Sequence, residues 1–328
     1  MPKYSIIIPV YNRPQEIDEL LQSLTQVNYS DFEVIVIEDG SHLSSEDICL
    51  NYQKHLNLTY KTQKNSGPGP ARNTGAKLAN GDYFLFFDSD CLIPPAYFEE
   101  VNKELNDVDC FGGPDMAHES FNTIQKAISY SMTSTLTTGG IRGGKKKLDK
   151  FYPRSFNMGI KKEVFRKLDG FEKLRFGEDL DFSMRILKSG FTTKLIDKAA
   201  VFHKRRNNFK TFFKQVYNSG IARINLNYRH PGSLKLVHAI PAVFTLGYLF
   251  TLLLGLFFPL LFVLIVIPWI IFSIDATLQT KSIKVGATSS IAAMVQIFGY
   301  GSGFITAFIK RNLLNRKEFT AYEKNFYK

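Results

Sequence analysis

The sequence has little of what builds metal clusters, disulfide frameworks or secretion signals. Its 328 residues include three cysteines, Cys49, Cys91 and Cys110, which are too few and too widely spaced for a zinc cluster or a disulfide framework. We interpret them as core residues, in agreement with a reducing compartment. The apolar run at residues 4–10 is short and is interrupted by Pro9, unlike the hydrophobic segment of a secretory signal. The first part of the chain is therefore expected to stay in the cytosol.

Negative charge is also scarce. The chain has 30 acidic against 41 basic residues, a formal net charge of +11 at pH 7, which favours nucleic acid, anionic lipid or a phosphorylated ligand as a partner. The basic residues gather beside apolar segments instead of alternating with aromatic residues, so we expect membrane lipids as partners and no nucleic acid. These residues are Lys204, Arg205, Arg206, Lys210, Lys214, Arg223, Arg229, Lys235, Lys310, Arg311, Arg316 and Lys317.

Strand-like and helix-like segments alternate over the first part of the chain. Near-continuous apolar runs of the kind seen at residues 34–37 are typical of a parallel sheet buried on both faces by crossover helices. In such α/β folds, ligands bind beyond the carboxyl ends of the strands. The pattern predicts strands at residues 4–10, 32–38, 58–61 and 83–88 and helices at residues 14–26, 44–55 and 70–79.

The rear of the chain is apolar. Residues 236–274 contain no Lys, Arg, Asp or Glu and are long enough for two membrane spans. An amphipathic segment at residues 206–235 precedes them and is expected to lie in the membrane interface. A third, weaker apolar stretch lies within residues 275–328 and either crosses the membrane, re-enters it or lies at its surface. Because basic residues flank the apolar region on both sides, we favour a two-span hairpin after a catalytic domain at residues 1–205.

Two acidic motifs are candidates for chemistry. Asp88-Ser89-Asp90 follows a predicted strand, where two carboxylates on a turn suit Mg²⁺ or Mn²⁺, although such a triplet is also an ordinary solvated turn. Glu178, Asp179 and Asp181 lie close together at a predicted helix start. They either complement the helix dipole or, since like charges raise a carboxyl pKa, supply a general base.

Three further features have a functional and a structural interpretation. The glycine- and proline-bearing loop at residues 65–73 enters a helix and could bring backbone amides and Arg72 to a diphosphate, or it is a capped loop. His203 is either a third metal ligand or a structural histidine. The run from Lys145 to Lys147 is either a solvated loop or a contact for the acceptor or for lipid headgroups.

The motifs together resemble those of a family 2 glycosyltransferase with the GT-A fold, a Rossmann-like and mostly parallel sheet that binds nucleotide-diphospho-sugars. The resemblance covers roughly residues 3–205, and one departure is Glu38, where the family usually has aspartate. It is carried by Pro9-Val10-Tyr11-Asn12, Glu38-Asp39-Gly40-Ser41, Gly69-Pro70-Ala71-Arg72-Asn73, Asp88-Ser89-Asp90 and Glu178-Asp179.

The resemblance implies roles for individual residues. Asp179 is the expected catalytic base, with Glu178 and Asp181 positioning it or the acceptor. Asp90 and Asp88 are the expected ligands of Mg²⁺ or Mn²⁺, and His203 is the candidate third ligand named above from its position. The donor site is expected to comprise Pro9, Tyr11, Asn12, Asp39, Gly69, Arg72, Asn73, Asp88 and Ser89.

We therefore expect an inverting, metal-dependent enzyme that transfers a single sugar from a nucleotide-diphosphate sugar to the hydroxyl of a saccharide or lipid-linked acceptor. It is expected to be a multi-pass protein of the cell membrane with a cytosolic catalytic domain, acting in the synthesis of cell-surface polysaccharide or glycolipid. Single addition is expected because the Q-x-x-R-W motif of processive relatives has no counterpart; the one tryptophan, Trp269, lies in an apolar span. One alternative is a polyprenyl-phosphate glycosyltransferase, and another is a catalytically idle, membrane-tethered scaffold that binds nucleotide sugars.

Overall fold

The structure is a computed structural model that describes residues 3–106, 108–138, 151–174 and 176–316. The lysine run at residues 145–147 lies outside the described residues. The chain forms two compact units. The first holds residues 3–116 and 151–203, and the second holds residues 117–138 and 204–316.

The first unit is built on a seven-stranded sheet with strand order β3-β2-β1-β4-β8-β6-β9. Strands β1 to β4 are parallel, and β8 runs antiparallel to both of its neighbours. The strands are β1 (Tyr4–Val10), β2 (Phe32–Asp39), β3 (Leu58–Gln63), β4 (Tyr83–Phe87), β6 (Cys110–Gly112), β8 (Asn157–Lys161) and β9 (Thr193–Leu195). This confirms the predicted α/β class and mostly parallel sheet.

Helices cover both faces of this sheet, because successive strand residues point to opposite sides. Ile6 and Ile8 of β1 lie in one apolar core and Ile7 lies in the other. The first core is completed by α1 (Pro14–Leu24), α2 (Glu46–Tyr52) and α4 (Tyr97–Glu104), and the second by α3 (Pro68–Leu78), α7 (Lys162–Lys167) and α8 (Glu178–Lys188). All three cysteines are free and buried, as expected of core residues.

The strand order reverses between β1 and β4, which is where an open α/β sheet forms a ligand-binding crevice. Strand β1 pairs with β2 as far as Val10 but with β4 only as far as Ile7. The two strands therefore part at their carboxyl ends. Pro9, which has no amide hydrogen to donate to a ladder, lies in the part that pairs with β2 alone.

A small second sheet lies after β4. It contains β5 (Cys91–Leu92), β7 (Asp115–Met116) and β10 (Val201–His203), in the order β5-β10-β7. In this sheet His203 is directly opposite Cys91, and Val201 is paired with Asp115. The pairing brings the segment after Asp90 next to a histidine more than a hundred residues later in the chain.

The second unit is helical. Its helices are α5 (Thr123–Thr133), α6 (Thr135–Thr138), α9 (Phe209–Arg229), α10 (Leu236–Gly255), α11 (Phe262–Thr280) and α12 (Ile283–Phe308), with a 3-10 turn at Pro259–Leu261. Among the residues that the structure describes, three helical segments are long and apolar enough to cross a membrane: Leu236–Gly255, Pro259–Thr280 and Ile283–Leu313. The first two are mostly exposed, whereas half of the third is buried.

Helix α12 lies at the centre of this unit because its glycines let other helices approach closely. A side chain at Gly303 would collide with the backbone of Tyr217 in α9, and one at Gly301 would collide with Pro241 and Thr245 in α10. Gly299 and Gly303 form a G-x-x-x-G pair of the kind that packs helices in membranes. The glycines that weaken the apolar signal of this segment therefore have a packing role.

Helix α12 runs across the α10–α11 hairpin instead of along it. The indole of Trp269 donates a hydrogen bond of 3.0 Å to the hydroxyl of Tyr248, which sets residue 248 level with residue 269. Because α10 and α11 are antiparallel, residues earlier in α10 lie level with residues later in α11. Residue 240 of α10 therefore lies level with residues near 275 of α11. Gly286 of α12 packs on Ser273 and Thr277, at this level.

The other end of α12 meets the same level of the hairpin. Phe304 shares an apolar cluster with Ala242 and Ala239 near the start of α10, and Gly301 lies against Pro241. Eighteen helical residues, a length of about 27 Å, separate Gly286 from Phe304. Gly286 and Phe304 lie this far apart along α12 and yet contact the hairpin at the same depth. Helix α12 must therefore cross the hairpin instead of running parallel to it.

Candidate active site

The carboxyl ends of β1, β2 and β4 bring the polar motifs of the first unit to one edge of its sheet. Asp39 is the last residue of β2, and Asp88 directly follows β4. Tyr11 directly follows β1 and has 46% of its surface exposed. An exposed aromatic ring beside buried acidic groups suits the flat face of a base and the polar groups of a sugar.

Asn12 ties the loop after β1 to the loop after β2. Its backbone is in the left-handed region at φ 53°, which asparagine tolerates better than most residues. Its side-chain oxygen accepts hydrogen bonds from the amides of His42 at 2.7 Å and Leu43 at 3.0 Å. Its own amide donates to the hydroxyl of Ser41 at 2.7 Å. Asn12 therefore fixes the shape of this edge.

Asp39 is buried and organises the loop that enters α3. Its carboxylate accepts hydrogen bonds from the side chain of Gln63 at 2.7 Å and from the amides of Ser66 at 2.9 Å and Gly67 at 2.8 Å. Burial raises the pKa of Asp39, and these three donors oppose the rise. The neighbouring Glu38 is also buried and accepts hydrogen bonds from Ser41, from the amide of Ser45 and from Tyr60.

Arg72 joins three motifs that are far apart in the sequence. It is almost completely buried, and its guanidinium donates to Asp88 at 2.6 Å and to Glu178 at 3.0 Å. It also lies 5.4 Å from the ring centroid of Phe171. Both carboxylates stabilise the charged guanidinium, so the pKa of Arg72 is raised although burial alone would lower it. Arg72 holds the two acidic motifs in place.

Asp90 is paired on both of its oxygens. Its Oδ1 lies 3.0 Å from Nε2 of His203, and its Oδ2 accepts a short hydrogen bond from Arg13. Burial alone would raise the pKa of Asp90, but His203 and Arg13 outweigh it and hold that pKa well below its usual range. The ring of Phe156 stacks on His203 with centroids 5.0 Å apart.

Asp90 and His203 together form the arrangement that fits a divalent cation. Ligand atoms of Asp90, Cys91 and His203 lie within 4.8 Å of one another. Burial raises the pKa of the Cys91 thiol well above its usual value, so the sulfur stays protonated and the donor set is a carboxylate oxygen and an imidazole nitrogen. Carboxylate oxygens suit Mg²⁺ and Mn²⁺, and the nitrogen favours the transition metal. The Oδ1 atom of Asp88, the other expected ligand, is held by Arg72.

The third acidic motif lies at the start of α8, where its two neighbouring carboxylates differ in acidity. The pKa of Glu178 is raised to about 7 by burial and by the charge of Asp179. Burial also acts on Asp179, but Arg154, whose Nε donates to it at 2.6 Å, holds the pKa of Asp179 below its usual value. The expected rise from like charges therefore occurs at Glu178, and Asp179 stays ionised.

Several residues assigned to the site from sequence are engaged in structural contacts. Asp181 accepts from Arg185 at 2.9 Å, and Arg185 in turn donates to the carbonyls of Leu168 and Gly170. Asn73 exchanges two hydrogen bonds with the backbone of Phe171, at 2.8 and 2.9 Å. A side chain at Gly69 would press on Phe171 and Glu172, and Ser89 is buried beside Asp90.

Sequence reasoning missed Arg13 and Arg154, which pair with Asp90 and Asp179. Arg13 directly follows the motif Pro9-Val10-Tyr11-Asn12 and precedes Pro14. Its position after a strand could therefore have identified it as a candidate site residue. Arg154 lies in an irregular segment next to residues outside the described part of the chain, and no local pattern marks it.

A sheet covered by helices on both faces, with acidic side chains gathered where its parallel strands end, agrees with the GT-A fold of glycosyltransferases. The model of the family described as Glycosyl transferase family 2 matches residues 5–169, half of the chain. The chain belongs to this family and is a glycosyltransferase.

The relatives and a solved structure agree with this assignment. An uncharacterized glycosyltransferase of Haemophilus influenzae is 31% identical over 63% of this chain and 71% of its own length. The uncharacterized glycosyltransferase EpsJ of Bacillus subtilis is 27% identical over 64% of this chain and 63% of its own. The mannosyltransferase PcManGT of Pyrobaculum calidifontis, solved with GDP-Man and Mn²⁺, shares the fold with a TM-score of 0.58 at 16% identity over 96% of this chain and 88% of its own.

Proposed function

We propose that the protein transfers one sugar from a nucleotide-diphosphate sugar to an acceptor hydroxyl at the cytosolic face of a membrane, with inversion and with a divalent cation. The observation that carries this proposal is the contact of Arg72 with both Asp88 and Glu178, which brings the Asp88–Asp90 turn next to the start of α8, where Asp179 lies. The bound nucleotide sugar and Mn²⁺ of the mannosyltransferase with the same fold support the choice of donor and cation.

In this proposal the strand ends hold the donor. Tyr11 covers the base and Asp39 accepts from it, while the loop that Asp39 caps directs the start of α3 toward the diphosphate. Arg72 does not contact the donor directly, because it is buried against Asp88 and Glu178; it keeps Asp88 oriented toward the ribose.

Asp179 acts as the base. It is ionised, it lies beside Arg154, which fixes its orientation, and a carboxylate in this state accepts the proton of an acceptor hydroxyl as the oxygen attacks the sugar. A single in-line displacement of this kind inverts the anomeric centre. A divalent cation held by Asp90 and His203 would stabilise the negative charge of the departing diphosphate.

The membrane part of the proposal follows from the second unit. Its exposed hairpin, α10 and α11, would span the bilayer, and α12, which crosses the hairpin near its open end, would lie in the interface together with α9 packed on it. Asp275 lies at the same level and accepts a hydrogen bond from Tyr130, as expected near a membrane surface. Two crossings would keep the first unit and residue 316 on the cytosolic side of the membrane, where the enzyme would use a lipid-linked or saccharide acceptor.

The test is a donor panel of UDP- and GDP-sugars with Mn²⁺ or Mg²⁺, scored by release of the nucleotide diphosphate. Asp90→Ala should lower turnover with the active donor by roughly 100-fold or more, since it removes a ligand of the cation. Asp109→Ala removes a carboxylate that binds Lys161 and Thr192 near the amino end of β4, opposite to the end that carries Asp88, so it is the control and should retain activity. Full activity of Asp90→Ala would disprove the cation role.

The same assay decides between a hydroxyl and a phosphate acceptor. Asp179→Asn keeps the size of the side chain but removes the base, so turnover should fall by roughly 10²- to 10⁴-fold. A phosphate acceptor arrives ionised and needs no strong base, so largely intact turnover would favour the polyprenyl-phosphate alternative. Tight donor binding with no release from any donor would favour an idle scaffold.

A further inference from the structure

The Asp90 carboxylate already has a positive partner in addition to His203. Arg13 donates a short hydrogen bond to Oδ2, and Oδ1 faces Nε2 of His203. A divalent cation held by Asp90 and His203 would therefore meet the guanidinium of Arg13 at close range. The Asp90 side chain is only 11% exposed, and like charges repel more strongly where water is scarce.

Unlike Arg72, Arg13 can move away from its carboxylate partner. Arg72 is 3% exposed and is held by two carboxylates, whereas the Arg13 side chain is 28% exposed and forms its ion pair with Asp90. Arg13 lies in the turn between β1 and α1, outside both elements and next to the left-handed Asn12. Its side chain can therefore swing toward the solvent side of the site without disturbing the sheet.

A nucleotide diphosphate would give Arg13 a new partner. A guanidinium binds phosphate oxygens through paired hydrogen bonds, and a diphosphate bound at the strand ends would come within its reach. The cation would then take the place of Arg13 at Asp90, and Arg13 would bind the anion that arrives with it.

We propose that Arg13 occupies the position of the cation at Asp90 until the donor binds, and that its transfer to the diphosphate makes cation and donor bind cooperatively. This inference rests on the proposed function. It makes Arg13 a positioning residue that couples the two ligands, and it predicts that the cation binds weakly to the protein alone. Couplings of this kind are commonly 5- to 150-fold in affinity.

The experiment measures Mn²⁺ affinity of the full-length protein in detergent by titration calorimetry or by the electron paramagnetic resonance of free Mn²⁺, with and without UDP or GDP. In the wild-type protein, one of the two nucleotides should tighten Mn²⁺ binding by roughly tenfold or more. Arg13→Gln should bind Mn²⁺ alone roughly tenfold more tightly than the wild type, and the nucleotide should then tighten Mn²⁺ binding less than it does in the wild type, by only the part that its own contact with the cation supplies.

Two variants separate charge from structure. Arg13→Lys keeps the positive charge, so Mn²⁺ alone should bind as weakly as to the wild-type protein. Lys103→Gln removes one positive charge from an exposed ion pair of the same unit and should change neither quantity. Thermal unfolding of each variant reports that it is folded.

The outcomes distinguish this inference from the function beneath it. Unchanged or weaker Mn²⁺ binding by Arg13→Gln, or tight binding by Arg13→Lys, would overturn the role of Arg13 while leaving the cation site intact. If the wild-type protein binds no Mn²⁺ with either nucleotide, the cation site of the proposed function fails, and the role of Arg13 fails with it.

Discussion

At the scale of single residues, the acidic groups of the site carry different charges because their neighbours differ. Asp90 and Asp179 each face an arginine, whereas Glu178 shares Arg72 with Asp88 and lies beside the ionised Asp179. The sequence predicts that one carboxyl of the 178–181 cluster is perturbed, but it does not identify which. That choice depends on Arg154, whose approach to Asp179 is a long-range contact with no local signature.

The raised pKa of Glu178 gives a prediction for stability. Its pKa is about 7 in the folded protein against an ordinary 4.5, owing to burial and to Asp179, with Arg72 opposing. The folded state therefore favours the protonated form, and the stability that this provides is complete below the ordinary value and is lost as the pH rises through about 7.

Glu178→Gln mimics the protonated form at every pH. Between about pH 5 and pH 8, the melting temperature of the wild-type protein should fall relative to that of Glu178→Gln. Glu163→Gln, an exposed position on α7, is the control and should follow the wild type across the range. A constant difference between wild type and Glu178→Gln would mean that Glu178 is already ionised at low pH.

At the scale of elements, the strands and first helices of the sheet could be predicted in kind and order, although α2, predicted at residues 44–55, spans only Glu46–Tyr52. Strand β1 has the predicted bounds, and α1 ends two residues before its predicted end. Local periodicity suffices there because each element buries a complete face. It fails for His203, whose approach to Asp90 depends on the pairing of β10 with β5. It also fails for α12, whose glycines dilute the apolar signal because they are packing positions.

The glycines of α12 can be tested with a matched pair. Gly303→Ala introduces a methyl group against the carbonyl of Tyr217, so α9 and α12 must move apart and the melting temperature in detergent should fall by several degrees, as expected for about 1–3 kcal/mol. Gly247→Ala lies in α10 with open space around the new methyl group, and it should be neutral or slightly stabilising. Equal effects of the two substitutions would contradict the close contact.

At the scale of the whole molecule, the number of membrane crossings decides on which side of the membrane residue 316, after α12, lies. The contacts of α12 with both helices of the hairpin at one depth favour two crossings, although its length and composition would allow a third. Composition alone leaves both possibilities open, because a helix that lies in the interface and one that spans the bilayer both bury apolar residues.

Single engineered cysteines can report the topology, since the three native cysteines are buried. Phe257→Cys, at the closed end of the hairpin, should react with a membrane-impermeant maleimide only in right-side-out vesicles. Lys281→Cys and Arg316→Cys flank α12 and should both react only in inside-out vesicles. Labelling of these two positions from opposite sides would establish a third crossing.

The buried guanidinium shared by Asp88 and Glu178 has a consequence for protein engineering. Replacing Arg72 alone would leave Asp88 and the buried Glu178 without their shared positive partner, so Arg72 should be the least replaceable of the three side chains. Libraries that aim to redirect the enzyme to another sugar donor should keep this triad fixed. The positions to vary are better chosen among exposed residues of the site such as Tyr11, where a new side chain faces water and disturbs no buried partner.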